Sequence, residues 1–144
     1  MNSALEIADA FIAGLARHDV DGALTVCAPH CRIHIVPLAL EGAIHAEGRK
    51  FFEHWFVAFP DLTLSTRRIF AMRDGVVALE TTFDGTQSGA FLGAINQEKH
   101  VDLDEAWLLR TCSDGVEGVK LFWCQNQLYR RLAVRRLDRV TITT

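Results

Sequence analysis

The stretch LTLSTRRIFAMRDGVVALETTFDGT, residues 62–86, decides the fold. On both sides of Arg73, Asp74 and Gly75 the chain alternates apolar and polar residues and is rich in Thr, Val, Ile and Phe, a pattern that predicts two strands joined by a tight turn. Downstream, KHVDLDEAWLLR (99–110) and VKLFWC (119–124) read the same way, separated by a turn around CSDGVEG. A longer connection through Gly89 and Gly93 leads into them. Upstream, the period changes. Phe51, Phe52, Trp55, Phe56 and Phe59 place their rings on one helical face, and Pro60 stops that helix. Leu5, Ala8, Phe11, Ile12 and Leu15 define an opening helix, with Ser3 and Glu6 as its capping box and an end near Arg17. Asp21 is the expected cap of a short second helix that Pro29 closes. CRIHIVPL (31–38) is a strand in which Pro37 marks either an edge position or the strand end, and a last short helix covers Gln125 to Leu132. Helices followed by hairpins predict an α+β fold, with the helices on one face of an antiparallel sheet.

The bulk properties narrow the function classes. At 144 residues the chain fits one domain, read as residues 1–134 followed by a short basic tail at 135–144. Hydrophobic residues at 49% and charged residues at 23% exclude disordered, collagenous and coiled-coil chains. The net charge of −3 is uneven: Arg130, Arg131, Arg135, Arg136 and Arg139 form a basic run behind an acidic body, which argues against a nucleic-acid binder. No apolar run is long enough for a membrane span, and acids stand at the N-terminus where a signal peptide carries bases, so a cytoplasmic location is expected. Cys27, Cys31, Cys112 and Cys124 form no CxxC pair and are expected to be reduced, mostly buried thiols. The His and carboxylate spacing offers no metal set within one element, so neither a metal nor a cofactor is expected.

Four strings carry a resemblance: HDVDGAL ahead of the second helix, AFPDL at 58–62, GTQSGAFLG at 85–93 and LYRRLAV at 128–134. With them the chain resembles the SnoaL-like polyketide cyclases, within the superfamily named for nuclear transport factor two that also holds the ketosteroid isomerases. The third string is the most specific, and Gln87 stands in it where the family commonly has His. The resemblance implies a cone-shaped, strongly curved, mixed or antiparallel sheet wrapped around the N-terminal helices, a cystatin-like α+β barrel with an apolar pocket open at one end. It also implies a homodimer through the outer face of the sheet. For chemistry it implies an acid/base Asp just before the last helix and a His on the preceding strand. Those positions match Cys124 and Trp107. A thiol with an ordinary pKa of about 8.5 is a poor proton shuttle near neutrality, and an indole only donates. The general-base Asp of the isomerases matches Val36, before Pro37.

Other groups remain as candidates. Alternation puts Val101, Leu103, Glu105, Trp107 and Leu109 on one face, making Glu105 a lone carboxylate in an apolar stripe. If the stripe faces the interior, desolvation raises its pKa toward the range of a general acid or base; if it faces outward, Glu105 is a surface group or the partner of an arginine at a dimer contact. His34, between Ile33 and Ile35, is either a second acid/base group or a satisfied, half-buried histidine. Trp55, Phe59, Trp107 and Trp123, with Cys124 beside them, either line a pocket for a flat hydrophobic ligand or simply fill the interior. Two functions follow: a small-molecule protein for a hydrophobic ring- or carbonyl-bearing compound, with cofactor-free isomerase, cyclase or dehydratase chemistry at Glu105 and His34, or a non-catalytic binding or association module.

Overall fold

In a computed structural model, which describes residues 3–134, the hairpin of residues 62–86 forms β3 (Thr63–Ala71) and β4 (Val76–Thr86). Asp74 and Gly75 make the turn in the left-handed region, and the Gly75 carbonyl accepts a hydrogen bond from the Thr111 hydroxyl at 2.7 Å. β4 pairs along its whole length with β5 (His100–Cys112), and β5 turns back into β6 (Gly115–Trp123). β6 then pairs in parallel with β1 (Cys27–Ile35), and the short β2 (Leu40–Ala43) lies antiparallel on its far side. The strand order is β2-β1-β6-β5-β4-β3.

Register divides the sheet into two chemistries. Ile35, Leu121, Trp107, Leu79 and Ile69 fall in one row facing the helices, whereas His34, Lys120, Leu108, Ala78 and Phe70 form the adjoining row on the opposite face. The helices α1 (Ala4–Ala16), α2 (Val20–Thr25) and α3 (Arg49–Ala58) supply the other half of the core, and α4 (Gln125–Arg131) packs against β5. α1 lies across β3 to β6 and buries Ala8, Phe11, Ile12 and Leu15. Its N-cap is Ser3, as its sequence dictates, but α2 is capped by Asp19 rather than Asp21, which instead pairs with Arg49 at 2.6 Å.

The α+β architecture stands, but the cone-shaped, strongly curved barrel does not. The sheet is open, neither closed nor strongly curled, with free edges at β2 and β3. The physical reason lies in those edges. β2 has only four residues before the chain enters a π-helical turn at Ile44–Gly48, and most of β3 is exposed and carries Arg67 and Arg68. A short edge and a charged edge resist further strand pairing. β1 is also longer than its sequence indicates: it begins at Cys27 and absorbs Pro29 in an irregularity of its pairing with β6. Pro37 marks the end of β1 and belongs to a single 3-10 turn.

The β4–β5 connection is held from within. Gln87 is 1% exposed; its amide nitrogen lies 3.1, 3.3 and 3.0 Å from the carbonyls of Gly89, Ala94 and Ile95, and its oxygen accepts from Gln97 N at 3.2 Å. One side chain thus closes a loop that has little secondary structure of its own. Replacing it with Ala leaves these backbone groups without their partner, and Gln87→Ala is expected to lower unfolding free energy by about 2 kcal/mol. Urea denaturation followed by tryptophan fluorescence checks this, and an unchanged midpoint would contradict the role.

Candidate functional site

The pleat of β5 turns Val101, Leu103, Glu105, Trp107 and Leu109 toward the helices, and all five are buried. Opposite them α3 contributes Phe51, Phe52 and Trp55, also buried. Trp107 sits where these elements meet. Its ring lies edge-on to Phe11 at 6.1 Å and to Trp55 at 6.1 Å, and stacks on Phe52 at 6.3 Å. Phe83 and Phe59 extend the cluster: the Phe83 ring is 5.5 Å from Trp55, and the Phe59 ring is 4.9 Å from Phe83. The result is a buried aromatic, hydrophobic pocket wall built from two helices, the segment after α3, and two strands.

Glu105 is the one charged group among the buried polar residues of the described chain. Its register partners are Thr81 on β4 and Trp123 on β6. The Trp107 indole N–H donates to Thr81 Oγ1 at 2.9 Å, which occupies one of its two lone pairs and leaves its hydroxyl hydrogen free to turn toward the carboxyl. Glu105 Oε1 has no hydrogen-bond partner. Desolvation holds the Glu105 carboxyl well above the usual carboxylate range, and the Thr81 hydroxyl opposes this only in part. The group is therefore biased toward its neutral, proton-bearing form. On the opposite face of the sheet, Arg67, Glu80, Asp104, Ala106 and Phe122 line a hollow of ≈ 390 Å³ whose floor is the backbone row of Thr81, Glu105 and Trp123.

The remaining candidates fall elsewhere. His34 is on the opposite face of the sheet, half-buried, 3.5 Å from Glu41; the fold does not bring it to Glu105. Trp55, Phe59 and Trp107 are buried together, while Trp123 is half-buried, stacked on Phe51 at 6.0 Å and donating through Nε1 to Gln125 at 2.7 Å. Cys124, at the N-cap of α4, is exposed rather than buried, and Cys112 is half-buried; only Cys27 and Cys31 are core thiols. Arg131 pairs with Asp102 at 3.1 Å, and Arg135, Arg136 and Arg139, with the tail 135–144, lie outside the described residues. Thr81 escaped the sequence reading. Its signal was present, since a threonine shares the inward stripe with Val77, Leu79 and Phe83, but only the β4–β5 register shows that it faces Glu105.

No curated protein matches the chain. Among solved structures, AclR from Streptomyces galilaeus, a proposed hydroxylase, superposes with a TM-score of 0.79 at 25% identity, covering 90% of this chain and 84% of its own. A proposed SnoaL-like polyketide cyclase from Jannaschia sp. CCS1 gives 0.77 at 20% identity, with 92% and 93% covered. IdmH from Streptomyces antibioticus, a proposed polyketide cyclase, gives 0.76 at 15% identity, with 92% and 100% covered. Residues 5–125 match the SnoaL-like polyketide cyclase family, and the chain belongs to it.

Proposed function

We propose that the protein binds a hydrophobic, ring- or carbonyl-bearing small molecule against the aromatic wall and that Glu105 is the acid/base group acting on it. One observation carries this reading: a buried carboxyl with a raised pKa has an oxygen that no protein group satisfies. An orphaned buried acceptor is costly, and such groups concentrate where a ligand or a proton transfer makes use of them. A neutral Glu105 can donate its proton to a carbonyl or leaving hydroxyl oxygen. As a carboxylate it can withdraw a proton from carbon beside a carbonyl. Isomerisation, cyclisation and dehydration all combine these two steps without a cofactor. Trp107 and Thr81 are positioning residues, since their hydrogen bond orients the hydroxyl beside Glu105. Trp123, the half-buried member of the wall, stands on the side from which a ligand meets Phe51 and Glu105.

A homodimer through the outer face belongs to the same reading. That face offers the apolar row Leu108, Ala78 and Phe70, with Phe70 48% and Met72 56% exposed. We also place the protein in the cytoplasm, in keeping with four free cysteines, and with a small molecule rather than nucleic acid as its partner. Among the described residues no helix is long and apolar enough to cross a membrane. The competing reading, a non-catalytic binding or association module, is supported by Trp107 and Cys124, which stand where the family's acid/base pair is expected.

The two readings separate in a thermal-shift screen of aromatic ketones and polycyclic phenols, followed by turnover assays on every binder. Under the first, a binder raises the melting temperature and is converted, and Glu105→Gln lowers kcat about 100-fold or more while binding persists. Binding without turnover would establish the module instead.

Stability against pH tests the protonation state independently. Because the folded-state pKa is raised, the native protein holds a proton that the unfolded chain releases above about pH 4.3. The Glu105 contribution is therefore complete below that pH and declines as pH rises toward the folded value, by up to about 1.4 kcal/mol per pH unit. Glu105→Gln should remove this decline and be the more stable protein at pH 8. Parallel curves for the two proteins would show an ordinary carboxylate.

A further inference from the structure

A second site stands at the far end of the sheet, at the β5–β6 hairpin. Here His30 of β1, Cys112 of β5 and Glu117 of β6 bring a ring nitrogen, a sulfur and a carboxylate oxygen within 4.8 Å of one another. They come from three adjacent strands, so no spacing within one element announces them. The ladder itself creates the arrangement. Between β5 and β6 the pairing passes from Arg110↔Gly118 to Thr111↔Val116, leaving Glu117 as the extra residue of a bulge. Between β1 and β6 it passes from Cys27↔Val116 to Arg32↔Gly118, so the irregular segment containing His30 lies opposite the same glutamate. Both ladders break at Glu117. Bulges re-aim side chains, and two of them here converge on one point.

We propose that His30, Cys112 and Glu117 form a binding site for a zinc-class divalent metal ion. In a tetrahedral zinc site, with bonds of about 2.0 to 2.3 Å, ligand atoms stand about 3.3 to 3.7 Å apart, so the three donors need to close by only about 1 Å. His30 is exposed, Cys112 and Glu117 are half-buried, and His30 Nε2 is already 3.6 Å from Glu117 Oε2; rotamer changes suffice. The thiolate selects a borderline or soft ion and disfavours magnesium and calcium, which prefer all-oxygen shells. Three protein ligands on one side leave the fourth position to water. The site is on the opposite face from Glu105, where His30 and Glu117 border the same hollow as His34, Leu108 and Lys120, and it does not depend on the chemistry proposed for Glu105.

The test uses the reduced, full-length chain freed of metal by chelation, titrated with cobalt(II) and then with zinc(II). The expected result is one equivalent of cobalt, a near-ultraviolet sulfur-to-cobalt charge-transfer band, and its loss on adding one equivalent of zinc. Cys112→Ser should abolish the band. His30→Ala, at an exposed position where folding is not at stake, and Glu117→Gln should each weaken zinc binding about tenfold or more in competition with a chromophoric chelator. Cys124→Ser, at an exposed thiol at the start of α4, should retain the band. Absence of the band in the unaltered protein, its survival in Cys112→Ser, or its loss in Cys124→Ser would each overturn the assignment.

Discussion

The indole of Trp107 is the point on which the two halves of the molecule meet. Its faces and edges take Phe11 from α1 and Phe52 and Trp55 from α3, while its N–H reaches across the sheet to Thr81. Buried aromatic pairs of this kind contribute about 0.5 to 1.5 kcal/mol each beyond the area they remove from water. The single polar atom of the ring is satisfied, which a buried indole requires. Sheet twist and helix placement must both respect this ring, because interiors at crystal-like density transmit a displacement rather than absorb it.

That constraint reaches Glu105 through one hydroxyl. Thr81 has a single hydrogen, and with its oxygen accepting from Trp107 the hydrogen is available to the carboxyl alongside. The same packing excludes water, which raises the cost of ionisation more than one hydroxyl recovers. The aromatic core and the unusual state of Glu105 therefore have one cause. A smaller residue at 107 would loosen the wall, free Thr81 and admit solvent to the carboxyl together.

Local pattern made much of this legible. The inward stripe Val101, Leu103, Glu105, Trp107 and Leu109 follows from period-two alternation, and the α3 rings follow from helical spacing. Which face of β5 met the helices was open in the sequence and is decided by α1 and α3 covering that side. What escaped is non-local. β2 is too short to show a period, the π-helical turn has no simple signature, and an open rather than curled sheet depends on how its two edges end. The same alternation sets His34 on the face opposite its buried neighbours Ile33 and Ile35, away from the side that the helices cover. Thr81 and Glu117 matter only through register, a property of pairs of strands.

The departures from the family pattern form a connected set. With an indole at 107 the wall needs an acceptor, and Thr81 supplies it; with a thiol at 124, exposed at the start of α4, no acid stands at that end. On the acid/base function proposed above, the proton-transfer group comes from another inward position, and Glu105 is the neighbour of Trp107 two residues along the same face. Gln87 follows a similar logic. Where the family commonly has His, an amide joins three carbonyls and a backbone N–H, and it does so with no titratable proton. Position 87 thus holds the loop independently of pH, and the one strongly desolvated acid left in the described interior is the one whose oxygen remains unsatisfied.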